Sequence, residues 1–255
     1  MKLNVIYFSA FILAALTGHA QRKDAVEQKG ILDNPKLFAY GLTTNTRSGI
    51  IGGFVFRSSI PTNKDIKKPV NTYLAIEAVN IKHPKENFSP TPVVSKYVIG
   101  KTNYLFSIRP EYGKEWYMFK KGNEASIGLS GILAVGPSFG IQKPYYIKYG
   151  AFNSEKSVLT IYDPDVHTDI NSISGAAGIW QGFLNNSKII PGFHVKAATN
   201  IDMNTFGDNV TGFELGTVLE FFTKTPEIMT PKLVENQRTF VSAYLTLYIG
   251  NKRLR

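Results

Sequence analysis

From Phe193 to Asp202 the chain alternates without interruption. Phe193, Val195, Ala197, Thr199 and Ile201 form one series, and His194, Lys196, Ala198, Asn200 and Asp202 form the other. A period of two puts these series on opposite faces of a β-strand. The same rule recurs at 38–47, 50–59, 71–81, 103–112, 126–138, 174–184, 189–202, 210–222 and 240–250, and more weakly at 145–149. In 38–47, Phe38, Tyr40 and Leu42 share one face opposite Ala39, Gly41, Thr43, Asn45 and Arg47. In 103–112, Tyr104, Phe106 and Ile108 oppose Asn103, Ser107, Arg109 and Glu111. In 126–138, Ile127, Leu129, Leu133 and Val135 oppose small residues, which leave room for larger side chains on neighbouring strands. Strands of this kind predict an all-β, antiparallel, up-and-down transmembrane barrel with a polar, filled lumen. Even strand counts are the rule for single-chain barrels, so the weak segment is admitted and ten strands are favoured, with eight as the alternative.

The first residues change where this object should be. Lys2, the apolar run Val5 to Leu16 and Gly18-His19-Ala20 read as a cleavable signal peptide over 1–20. A polar periplasmic lead-in follows over 21–37, and one barrel domain over 38–255. No later apolar run is long enough for a helical span. The chain has no cysteine, which excludes a disulfide framework and a lipid-modified cysteine. The formal charge of +10 suits anionic lipid or lipopolysaccharide phosphates, and export argues against nucleic acid.

Charged residues on the polar faces are the first candidates for chemistry. Arg57, Glu77, Arg109, Glu111, His194, Lys196, Glu214 and Glu220 should meet inside a narrow barrel. There an unpaired charge is costly and a paired one holds strands in register. A lumen charge network of structural purpose is the leading reading, and a polar conduit or small-solute site is the other. A second candidate is His194 as the base of a lipid-modifying barrel enzyme, oriented by Glu214, although Lys196 stands two residues on and no serine is marked as nucleophile. A third is the loop 162–169, where Asp163, Asp165 and Asp169 are conceivable calcium ligands beside His167, but the spacing lacks the glycine turn and terminal Glu of an EF-hand and a solvated turn is the leading reading. His83 with Glu86 would add a metal site only if the two loops met. No metal or cofactor is expected. Basic clusters at Lys64, Lys67 and Lys68, at Lys114, Lys120 and Lys121, and at Lys252, Arg253 and Arg255 suit membrane phosphates or solvent. Trp116, Tyr117 and Phe119, and Tyr145, Tyr146 and Tyr149, suit aromatic girdles.

Four segments carry a resemblance: the junction Gly18-His19-Ala20-Gln21, the first strand Tyr40-Gly41-Leu42-Thr43, Ile81-Lys82-His83-Pro84-Lys85, and the closing Tyr248-Ile249-Gly250-Asn251-Lys252-Arg253. In these the chain resembles the small outer-membrane β-barrel proteins common in Bacteroidota, Gram-negative bacteria. The resemblance implies location and architecture, and some similar barrels serve as subunits of secretion or assembly machinery. It departs from the usual outer-membrane pattern at Arg253-Leu254-Arg255, where many such chains end on an aromatic residue. The expectation is an integral outer-membrane barrel acting as a structural or accessory component, without catalysis, in contact with outer-membrane lipid, lipopolysaccharide and a protein partner. The alternatives are a lipid A-modifying barrel enzyme and a periplasmic lipocalin-like binding barrel, whose apolar face would point inward.

Overall fold

A computed structural model describes residues 36–62, 70–86, 97–119, 127–150, 157–183, 186–204 and 209–253, all within the compact unit Asn34–Arg255. The signal segment and nearly all of the lead-in lie outside these residues. Eleven strands are present among them: β1 (Lys36–Asn45), β2 (Gly49–Pro61), β3 (Val70–Ile81), β4 (Asn103–Phe119), β5 (Gly128–Pro144), β6 (Tyr146–Tyr149), β7 (Val158–Ile161), β8 (Ile173–Ala176), β9 (Lys188–Asn204), β10 (Asn209–Phe222) and β11 (Thr239–Arg253).

Eight of them close a barrel in the order β1-β2-β3-β4-β5-β9-β10-β11, and β11 pairs antiparallel with β1. Following paired residues around the wall from Asn251 leads through Phe38, Ser58, Leu74, Tyr112, Val135, Val195 and Leu219 to Val241, ten residues along β11 from the start. That stagger tilts the strands against the barrel axis, and eight strands leave an interior just wide enough for side chains.

The count corrects the expectation of ten. Segment 145–149 does form a strand, and 173–176 covers the start of the other segment, but β6, β7 and β8 make a separate three-stranded sheet in the order β7-β6-β8. The wall has no gap for them, because β5 pairs directly with β9 from Gly128↔Asp202 to Gln142↔Lys188. Beyond Ala176 the chain turns. Gly182 sits at φ 66°, where a Cβ would fall 2.7 Å from the Tyr146 ring, so glycine is required for that turn.

Faces are now assigned. Leu37, Ala39, Thr43, Val55, Arg57, Tyr73 and Glu77 point inward and are buried, whereas Phe38, Tyr40, Leu42, Phe54, Phe56, Leu74 and Ile76 are exposed on the outer wall. Every barrel strand contributes at least two large exposed apolar side chains, including Tyr112, Val135, Phe193, Leu215 and Leu247 on later strands. This geometry opposes the lipocalin-like alternative, in which the apolar face lines the cavity.

Connection lengths sort by end. The links 82–102, 145–187 and 223–238 are long and share one end of the barrel with the tight turn 46–48. The links 62–69, 120–127 and 205–208 are shorter and share the other end. Strand β4 runs past the 103–112 expected from the sequence, to Phe119.

Candidate functional site: a sealed lumen and an outer crown

All eight charged residues singled out from the sequence lie in the barrel interior, each at most 3% exposed. They form two connected groups. In the first, Arg57 donates through Nη1 to Glu214 Oε2 at 2.9 Å and to Asn200 Oδ1 at 3.0 Å, and through Nη2 to Glu115 Oε1 at 3.2 Å. Its guanidinium also lies 4.7 Å from the Tyr248 ring centroid. Lys196 bridges Glu111 Oε2 at 3.0 Å and Glu214 Oε1 at 2.9 Å, so Glu214 joins two cations carried by β2 and β9. In the second group Arg109 meets Glu77 at 3.1 Å and Glu220 at 2.5 Å, and Glu220 also accepts from the Ser107 hydroxyl. Arg57 with Glu115 and Glu214, Arg109 with Glu220, and Lys196 with Glu111 tie strands that are not neighbours in the wall, whereas Arg109–Glu77 and Lys196–Glu214 link adjacent strands, and all of these pairs are buried.

Several partners were not anticipated. Glu115 accepts from Ser59, Ser130 and Arg57, and Asp202 accepts from Tyr248 and Asn200. Extending the β4 alternation two steps past Glu111 would have placed Glu115 inside. Asn200 and Asp202 follow His194 and Lys196 on the same inward series.

His194 is fully buried, and its Nδ1 lies 3.0 Å from the Ser138 hydroxyl. It sits opposite Glu220, whereas Glu214 is engaged by Arg57, Lys196 and Tyr244 and does not orient it. A serine and a histidine therefore do meet, but in the barrel interior, both fully buried and away from the outer face.

Apolar residues flank the charged core toward both ends. At the long-loop end inward Val79, Ile81, Leu105, Ile190, Phe222 and Phe240 pack with Val98, Ile228 and Met229 from the loops. At the other end Leu37, Ala39, Val210 and Tyr248 pack together. The loop residues are fixed by backbone bonds from Thr102 and Asn103 to the Ile228 carbonyl and from Thr230 to Gly100, and by the Asn236 side chain on Ile228 and Met229. A solute crossing the lumen would have to displace the apolar layer at the long-loop end and break the ion pairs.

Above the long-loop end stands a crown. The small sheet buries Tyr145, Ile147 and Ile173 with Tyr97 and Tyr162, against Tyr104 on the outer face of β4. Tyr145, Tyr146 and Tyr149 thus belong to the crown and not to a membrane girdle. Lys143, on the outward series of β5, is fully covered, with its ammonium 5.0 Å from the Tyr104 ring centroid. Beside the sheet an open cleft of about 490 Å³ is lined by Asn103, Tyr162, Asp163, Asp165, Glu227 and Lys232, among others.

The acidic loop does not gather a metal site. Asp163 accepts from the Asp165 amide at 2.9 Å, Asp165 pairs with Lys232 at 2.7 Å, and Asp169 accepts from Ser172 at 2.6 Å. The Glu86 carboxylate pairs with Lys101, and no group of three metal-ligating side chains occurs among the described residues. Of the basic clusters, Lys64, Lys67, Lys68, Lys120, Lys121 and Arg255 lie outside the described residues, while Lys114 is part of β4 and donates to Thr72. Trp116 faces outward.

His83 accepts from the Lys85 amide at Nδ1 and meets the Glu235 carbonyl at 3.3 Å through Nε2, an arrangement that needs the neutral ring. Burial holds its pKa below the ordinary value; the Glu235 carbonyl opposes this, and Arg47 and Lys85 add to it. The folded state therefore resists protonation, and the stability of this contact is present above about pH 6.5 and lost as the pH falls below it. Amide exchange over 228–236 should accelerate on acidification through that window, and His83→Gln should remove the acceleration.

No family model matches the chain, and no curated protein does. Similar solved structures include the following two. Neisserial surface protein A is 9% identical over 86% of this chain and 96% of its own, with a TM-score of 0.40. Ail, the attachment invasion locus protein of Yersinia pestis, solved with the heparin analogue sucrose octasulfate, is 10% identical over 86% of this chain and 97% of its own, with a TM-score of 0.33. The class defined by this chain's own geometry is the closed, eight-stranded antiparallel barrel with an apolar exterior and a charged, plugged interior.

Proposed function

We propose that this chain is an integral outer-membrane barrel that acts as a structural or accessory component, without catalysis. The observation that carries this reading is the apolar belt around the complete circumference, set against an interior filled with paired charge. Soluble monomers rarely expose contiguous apolar patches beyond a few hundred Å². A bilayer core accepts such a belt, and a closed barrel leaves no backbone group unpaired in it. The long links 82–102, 145–187 and 223–238 then face the exterior and the shorter links face the periplasm, the usual asymmetry of such barrels.

The filled lumen supports a role in presentation rather than conduction. The crown exposes Val158, Leu159 and Ile161 on β7 and Leu233 beside the cleft, surfaces suited to a protein partner in an outer-membrane secretion or assembly complex. Lipopolysaccharide is the lipid the outer half of the belt would meet. The protein should stay with membranes through carbonate extraction and should migrate faster on gels when unheated. A protein that washes off the membrane would overturn the proposal. Reconstituted in planar bilayers it should give no steady conductance. Purification in mild detergent with its neighbours retained would identify the complex.

A further inference from the structure

We propose that the turn 177–183 is an interfacial anchor that seats the crown on the outer leaflet, with Trp180 at the boundary between headgroups and acyl chains. This inference rests on the reading of the chain as a membrane barrel. Phe106, Ile141 and Ile189 form one outward row across β4, β5 and β9, near the crown end of the wall. Phe183 lies against that row, its ring centroid 5.8 Å from Phe106, and Trp180 lies 5.7 Å from Phe183. The turn therefore drapes down the outer face of the wall instead of rising over the mouth. Trp180 is nevertheless 78% exposed and Ile189 70%, so this apolar surface is continuous with the belt below and has no cover among the described residues.

The turn is built to hold that position. The Ala177 amide donates to the Tyr146 carbonyl at 2.9 Å, the Gln181 amide to Gly178 at 3.0 Å, and the Ser187 hydroxyl to the Phe183 carbonyl at 2.7 Å. Gly182 lets the chain pass against the Tyr146 ring. A tryptophan gains most where its ring is out of water and its N–H still reaches a polar partner, which is the headgroup boundary. The occupant of this surface is thus the bilayer itself, reached by extending the belt upward by one turn of chain.

The chain has two tryptophans, Trp116 and Trp180, so each can be read alone. Full-length Trp116→Phe and Trp180→Phe variants would be reconstituted into phosphatidylcholine vesicles carrying lipids brominated either near the headgroup or near the methyl end. In Trp116→Phe, Trp180 should emit at shorter wavelength than in detergent-free denaturant and lose more intensity to the shallow bromines than to the deep ones. In Trp180→Phe, Trp116 reports the barrel at its other rim. Trp116 quenched by lipid with Trp180 untouched would overturn the anchor and leave the membrane barrel standing. Neither residue quenched would overturn the membrane reading itself. Trp180 quenched best by deep bromines would also overturn the boundary placement.

Discussion

Glu214→Ala should lower the unfolding free energy by about 3–5 kcal/mol, the usual cost of removing one partner from a buried ion pair. Glu214 bridges Arg57 and Lys196 at 2.9 Å each and accepts from Tyr244, all in the barrel interior. Its removal leaves Arg57 with Glu115 and Lys196 with Glu111, one carboxylate where each cation had two. Urea unfolding in detergent micelles or vesicles would measure the loss. Asp165→Ala is the matched control, because its pair with Lys232 is exposed on both sides and should contribute less than about 1 kcal/mol. Adding Lys196→Met and Glu111→Leu to Glu214→Leu, so that Lys196 goes together with both of its carboxylates, should recover part of the loss, since buried ion pairs are often replaceable by apolar volume. If Glu214→Ala costs no more than Asp165→Ala, the lumen network is not what holds the barrel.

Leu215→Arg tests the exterior in the same currency. Leu215 is 58% exposed and sits at the middle of β10. In water the substitution should be nearly neutral. In a bilayer an arginine on the lipid face near the midplane should cost about 2–4 kcal/mol. Leu233→Arg, on an equally exposed crown residue, should cost little in either setting. Equal and small effects at both positions in lipid vesicles would remove the outer-membrane proposal.

Much of the wall was legible because strict alternation needs no tertiary knowledge. Phe38, Tyr40 and Leu42, or Arg109 and Glu111, fall on their observed faces by parity alone. Parity does not say which face is outside. The fold decides it, burying the series that carries Arg57, Arg109 and Lys196 with their carboxylates and leaving the Phe, Leu and Ile series exposed. Strand count failed where alternation continued into a different sheet. Residues 145–149 and 173–176 alternate well enough, but the direct pairing of β5 with β9 excludes them from the wall. Glu115 was missed because β4 was ended at Tyr112, before its last inward charge. The pairing of Ser138 with His194 depends on the register of β5 against β9, where Gly136 stands opposite His194. Register is a property of two strands together and leaves no mark on either one.

The pairing of β1 with β11 sets the order of assembly. The barrel cannot close until its last strand has arrived, and until then Arg57 on β2 has no access to Glu214, 157 residues further on. Long sequence separation of this kind makes folding slow, because loop entropy is lost before the contact repays it. During that interval the exterior residues are exposed to water and Arg57 lacks Glu214 and Arg109 lacks Glu220, so the unfinished chain is sticky and its charge network incomplete. If the wall sits in a bilayer, as proposed, insertion and closure proceed together, with the membrane receiving the outer face as the ion pairs form within. The step most sensitive to mutation in the lumen should then be delivery of the chain into the bilayer, well before any activity of the finished protein is at issue.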